Sequence, residues 1–133
     1  MKKVIATLTI LLMSNHVLAE WEHYSSDSER NYYYDLNRVK IVNNDAKIIS
    51  YWTKSIYFQD LKKDTITVGD YYLTQYFVNC SKSELAIKEL HLYKKNGDLR
   101  DSLKKPYLEY SPYIPESRGE YLANSLCSTI FGS

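Results

Sequence analysis

The sequence predicts an α+β fold that is mainly β: an antiparallel meander sheet with a C-terminal helix packed on it and tied down by one disulfide. Three observations predict it. Runs rich in Tyr, Ile and Val, separated by turn residues, read as paired strands. Ser117-Arg118-Gly119-Glu120 has the form of a capping box that opens a helix. Cys80 and Cys127 both lie downstream of a leader that would carry them to an oxidising compartment, where an even pair is expected to be bridged.

The leader comes first in the chain. Lys2 and Lys3 precede the apolar run from Val4 to Met13, and Val17-Leu18-Ala19 places small residues where a signal peptidase reads. Residues 1–19 are therefore expected to be a secretory signal peptide and residues 20–133 one exported domain. Removing 19 of 133 residues leaves 114, enough for one core. No cysteine stands at the cleavage point to accept a lipid, and no later run approaches the roughly 20 apolar residues that span a bilayer, so the product is expected to be periplasmic, secreted or surface-associated without being a lipoprotein.

The strands follow in order. Tyr32 to Val42 and Ala46 to Phe58 read as a pair of strands joined by Asn43-Asn44-Asp45. A two-residue turn there would set Lys40 against Lys47, so a longer loop is the alternative. Leu61 to Asp64 is a charged connector, and Thr65 to Val68 is expected to add a short extended piece before Gly69. From Tyr71 to Cys80 the alternation puts Tyr72, Thr74, Tyr76, Val78 and Cys80 on one face. Asn96-Gly97 predicts a type I′ hairpin that pairs Lys95 with Asp98, Tyr93 with Arg100, His91 with Ser102 and Glu89 with Lys104, leaving Leu90, Leu92, Leu99 and Leu103 on the opposite face. Pro106 to Pro115 excludes a helix and spaces Tyr107, Tyr110 and Tyr113 by three, as in an extended strap laid across the sheet. The capping box then opens a short helix with Tyr121, Leu122, Ser125 and Leu126 toward the core and Cys127 near its end. A Cys80–Cys127 bridge would staple that helix to the strand ending at Cys80.

Composition narrows the function. Of the 17 Lys and Arg, two leave with the leader, so 15 face 16 Asp and Glu, and no basic excess argues for nucleic acid. Fourteen tyrosines against three phenylalanines suit a sheet with one wet face. After processing only His23 and His91 remain, neither at metal-like spacing from Cys, Asp or Glu, so no metal or cofactor is expected. No nucleophile elbow, phosphate loop or dinucleotide fingerprint occurs, and a set such as His91, Ser102 and Glu89 is what any solvated sheet face shows, so no enzyme is expected. Lys94, Lys95, Arg100, Lys104 and Lys105 form a basic cluster on the expected hairpin, able to engage sulfated glycans or to protect an open edge. With Tyr72 and Tyr76 on the tyrosine strand, these are the candidate ligand-binding residues.

The order of landmarks resembles the surface-adhesin protein E family of Gram-negative bacteria. The matching pieces are Trp21 at the start of the exported domain, Tyr32-Tyr33-Tyr34-Asp35, Trp52, the run Tyr76-Phe77-Val78-Asn79-Cys80, the Tyr93 to Gly97 hairpin, and Ile114-Pro115 with Ser117 before a helix bearing Cys127. The resemblance implies an antiparallel sheet with its C-terminal helix tied by Cys80 and Cys127. It also implies binding to host extracellular-matrix or serum glycoproteins, and a homodimer. In the name-giving member a basic strand before the first cysteine binds ligand; here Asp70 to Cys80 contains no lysine or arginine. The alternative is a periplasmic accessory or structural protein whose partner belongs to the bacterial envelope, or is a second copy meeting an open sheet edge.

Overall fold

A computed structural model describes residues 20–132, so the expected leader lies outside the described residues. Eight strands form one antiparallel sheet: β1 (Glu22–Ser26), β2 (Arg30–Tyr34), β3 (Lys40–Asn43), β4 (Ile48–Tyr57), β5 (Tyr71–Asn79), β6 (Glu84–Tyr93), β7 (Leu99–Lys104) and β8 (Ser111–Pro112). The helix α1 (Arg118–Phe131) closes the chain. The sheet runs β1-β2-β4-β5-β6-β7, with β3 beside β2 along one edge of β4 and β8 beside β7 along the outer edge of β6. It does not close on itself, as expected of a meander with a helix on one side.

The long strands β4, β5 and β6 are the frame, because each pairs over most of its length with its neighbour. Alternation along β4 sends Ile49, Tyr51, Thr53, Ser55 and Tyr57 to one face, opposite Val78, Tyr76, Thr74 and Tyr72 of β5. That face meets the helix. Leu122, Ala123 and Leu126 of α1 are buried on Ile49, Tyr51 and Val78. Ser117 caps the helix by accepting from the Glu120 amide at 3.1 Å, while Glu120 Oε1 accepts from the Glu116 amide at 2.8 Å. Cys80 and Cys127 are bonded, with Cα atoms 5.9 Å apart, and the staple fixes α1 over the first half of β4 only.

Several sequence expectations are corrected in detail, and one left open is decided. The expected strand from Tyr32 to Val42 is broken: Asp35, fully buried, accepts from the Asn37 amide at 3.0 Å and from Arg38 Nε at 3.0 Å, and this local capping winds Leu36–Arg38 into a 3₁₀ turn between β2 and β3. The loop after β3 is the longer kind, with Lys47 at positive φ and Lys40 facing Ser50, so the two lysines never meet. The Asn96-Gly97 turn is not type I′. Only Gly97 takes a positive φ, its amide donates to the Lys94 carbonyl at 2.8 Å, and the Lys94 amide donates to the Asp98 carbonyl at 2.9 Å, the pattern of a type I turn followed by a bulge. His91 faces Ser102 and Glu89 faces Lys104 as expected, but the extra residue is taken up beyond Leu92, so Tyr93 meets Leu99 and Arg100 is left bulged.

A further correction concerns faces. Leu92 is buried, yet Leu99 and Leu103 are more than half exposed, because β7 is the edge strand of the sheet. On α1, Tyr121 and Ser125 face outward, and Ala123 takes the place expected of them. The segment Thr65 to Val68 contributes only a single bridge, Ile66 to Leu61, although Ile66 is buried. The proline-rich segment forms no helix, but instead of lying across the sheet it joins the sheet at the outer edge of β6, pairing Ser111–Pro112 with Glu84–Leu85, and its tyrosines part company, Tyr113 packing on the core while Tyr107 stays exposed.

Candidate functional site

The helix leaves the far half of its sheet face uncovered, and a cleft of about 370 Å³ opens there. Its floor is three hydroxyl residues, Thr53, Ser55 and Thr74, each 6% exposed and none with a side-chain hydrogen bond among the described residues. Alternation explains why they are together, since Thr53 pairs with Thr74 and Ser55 with Tyr72 across β4 and β5. The walls are the rings of Tyr24, Tyr32, Tyr57, Tyr72 and Tyr76, with Ile87 and Leu90 as an apolar strip and Leu122 at the helix end. Two arginines, Arg30 from β2 and Arg118 from the first turn of α1, complete the lining.

Four of these tyrosines, Tyr24, Tyr32, Tyr57 and Tyr76, are held as neutral donors. Burial pushes the phenol of Tyr24 well above its ordinary pKa, helped by the neighbouring Tyr76, and burial does the same for Tyr57 and Tyr76. Tyr32 rises to about 12, from burial first and then from its hydrogen bond to Asp27, to whose Oδ2 it donates at 2.7 Å. Tyr51 stacks on Tyr76 with centroids 5.6 Å apart, which braces the inner wall. Asp27 sits at the rim. Burial alone would raise its pKa, but donation from Tyr32 and from the amides of Glu29 and Arg30 outweighs this and lowers it to about 2.

The arginines differ in how they are used. Arg118 donates from Nε to Ser25 Oγ at 3.1 Å, lies 3.5 Å from Asp27 Oδ2, and stacks its guanidinium 3.7 Å from the Tyr32 ring centroid. Arg30 stands 5.1 Å over Tyr32 and 5.2 Å over Tyr57, and its Nε is buried without any hydrogen-bond partner. It takes part in no salt bridge among the described residues.

The residues singled out from sequence fall into two places. Tyr72 and Tyr76 line the cleft. The basic hairpin residues lie apart from it and are largely engaged with the chain itself. Lys94 Nζ donates to the fully buried Asp70 carboxylate at 2.6 Å, and the Lys95 amide donates to the same carboxylate at 3.0 Å. Lys95 also crosses Gly69, whose φ is +93° and where a Cβ would come within 2.9 Å of the lysine. Arg100, freed by its bulge, donates to the carbonyls of Thr65 at 3.0 Å and Asp64 at 3.1 Å. Lys105 accepts from Lys88 Nζ through its carbonyl, and Lys104 is exposed opposite Glu89.

The opposite sheet face carries an aromatic stripe. Trp52 stacks on His91 at 6.2 Å, Tyr71 on Tyr93 at 5.2 Å, and Lys54 lies 4.4 Å over Tyr71, with burial lowering its pKa. His91 bridges Glu89 at 2.9 Å and Ser102 at 2.8 Å, a cross-strand ladder that lines none of the cleft described above. Sequence reasoning missed Arg30, Arg118, Tyr24, Tyr32 and Tyr57. The available signal was the Arg30-x-Tyr32-x-Tyr34 alternation, which places a cation and two phenols on one strand face.

An open antiparallel sheet with one stapled helix and a hydroxyl-floored cleft defines a small β-rich module. The profile of the surface-adhesin protein E family matches residues 21–128, nearly the whole chain. The protein belongs to the surface-adhesin protein E family, and with it comes an adhesin-like binding role at the cell surface. No curated protein matches the chain. Among the described residues no helix is long and apolar enough to cross a membrane.

Proposed function

We propose that this protein is an exported, non-enzymatic binding module that meets host matrix or serum glycoproteins through their glycans, using the tyrosine-walled cleft. The observation that carries the reading is the change of chemistry along one sheet face, from an apolar half under the helix to an open half floored by unpartnered hydroxyls. With no side-chain partner among the described residues, these hydroxyls turn toward the cleft and its solvent, and sugar hydroxyls supply the matching donors and acceptors. Rigid phenols add apolar ring faces with polar tips, the combination that a sugar ring presents in reverse. Family membership and the leader expected over residues 1–19 support export.

The experiment is capture of the purified exported protein on immobilised matrix and serum glycoproteins before and after enzymatic removal of their glycans. Saturable capture that disappears on deglycosylation is the expected result. Capture that survives deglycosylation would move recognition to protein surface and away from the cleft. The exposed Leu99 and Leu103 on the β7 edge favour a second reading, an envelope accessory protein or a homodimer paired edge to edge. Labelling of unpermeabilised cells with antibody separates the two, since the accessory role requires protein confined to the periplasm.

A further inference from the structure

We propose that the cleft is shaped for one carboxylate-bearing sugar unit, with Arg30 as its counter-charge. The proposal rests on the glycan reading above and narrows it to acidic saccharides.

The charge balance of the cleft carries the argument. Arg118 is matched, because Asp27 lies 3.5 Å from it and Ser25 takes its Nε. Arg30 is not: its Nε is sealed from solvent with no acceptor, and no carboxylate lies within ion-pair distance of it among the described residues, so the two guanidiniums share the single negative charge of Asp27. A partly buried guanidinium that lacks an acceptor is costly to leave so, and the planar fork of arginine is complementary to a carboxylate in a way an ammonium is not. The two rings flanking Arg30, at 5.1 and 5.2 Å, hold the fork in place before any ligand arrives. One unmatched positive charge fits a monocarboxylate. A diphosphate or a heavily sulfated chain would bring more negative charge than the cleft can match.

The rest of the cleft selects a sugar over a fatty acid or a simple anion. Thr53, Ser55 and Thr74 offer hydroxyls in a row across two strands, and a fatty chain would leave them all unsatisfied. A volume of about 370 Å³ sits at the small end of ligand sites, which suits a single sugar unit at a chain end.

The test is titration calorimetry of the purified exported protein with glucuronic acid and N-acetylneuraminic acid, against glucose, N-acetylglucosamine, the methyl ester of glucuronic acid, and sodium acetate. At least one acid sugar is expected to bind on the order of tenfold or more tighter than every neutral sugar and than acetate, as loss of a charge-assisted hydrogen bond implies. Arg30→Gln should remove that preference, bringing acid sugars down to the level of neutral ones, and Arg30→Lys should recover only part of it. Amide shift mapping on the unmodified protein keeps the test independent of how the variants fold: perturbations should centre on Thr53, Ser55 and Thr74. Equal binding of acid and neutral sugars would overturn the acidic preference and leave the glycan reading standing. Acetate binding as tightly as the acid sugars, or shifts mapping elsewhere, would overturn the site. Failure of every sugar while glycan-dependent capture persists would overturn this cleft assignment, whereas loss of capture itself would remove the reading beneath it.

Discussion

Strand β4 passes through two environments without changing face. Ile49 and Tyr51 lie under α1 with Val78, fully sealed, while Thr53, Ser55 and Tyr57 continue along the same side into an open cleft. The first half is held by apolar contact and a covalent staple, the second by a polar knot at Asp70. That carboxylate is fully buried and accepts from Lys94 Nζ at 2.6 Å, the Thr67 amide at 2.8 Å and the Lys95 amide at 3.0 Å, tying the loop before β5 to the β6–β7 hairpin. The contrast teaches how a small sheet keeps a binding surface. Stability is concentrated where the helix lies, so the other half can carry hydroxyls and a cation that has no salt bridge among the described residues, which a core would not tolerate.

The largest effect is expected from breaking the stapled half. Cys80→Ser removes a bridge that closes a separation of 47 residues, which loop-closure entropy rates at about 4 kcal/mol. Urea denaturation should show that loss. A variant as stable as the parent would mean that α1 is held by its apolar face alone and that the two halves do not differ in the way described.

Breaking the polar knot comes next. Asp70→Asn keeps the shape but withdraws the charge from Lys94, and because Lys94 is one-third exposed and can turn to water, the expected loss is about 2 to 3 kcal/mol. Burial by itself would raise the pKa of Asp70, but donation from Lys94 and from the Thr67 and Lys95 amides prevails and lowers it. The carboxyl therefore titrates lower in the folded than in the unfolded chain, so its contribution is complete above an unfolded value of about 3.9 and fades as pH falls through the lower folded one. The acid limb of a stability profile should be shallower in Asp70→Asn than in the parent. Asp27, lowered to about 2, acts in the same direction and would leave a residual slope in that variant.

Much of the architecture was legible in the sequence because it rests on local pattern. Alternation from Tyr71 to Asn79 placed Tyr72, Thr74, Tyr76 and Val78 on one face, Ser117 with Glu120 announced the helix, and two cysteines past a leader announced the staple. What escaped depends on partners distant in the chain or on choices that local residues leave open. Asn-Gly suits both a type I′ turn and a type I turn with a glycine bulge, and the difference shifted Tyr93 and Arg100 by one position. The hairpin lysines and Arg100 read as a free basic cluster, since nothing in their spacing reveals Asp70 or the Asp64 and Thr65 carbonyls that engage Lys94 and Arg100. Arg30 and Arg118 are far apart in sequence and share the cleft only because both guanidiniums come to lie over the Tyr32 ring.

The smallest effect on stability should come from the cleft floor, and that smallness sharpens the contrast. In an apolar core a Thr→Val exchange would gain from removing a hydroxyl, and in a hydrogen-bonded one it would lose. Thr53 is in neither situation: its hydroxyl has no protein partner among the described residues and faces a cleft that water can enter. Thr53→Val is therefore expected to change stability by less than about 0.5 kcal/mol. The same substitution deprives a bound sugar of one donor and acceptor, so capture of glycoprotein should weaken severalfold while the unfolding midpoint stays put. A variant that loses both together would show that Thr53 belongs to the structural half, and the boundary between core and site would then have to be drawn nearer to Ser55.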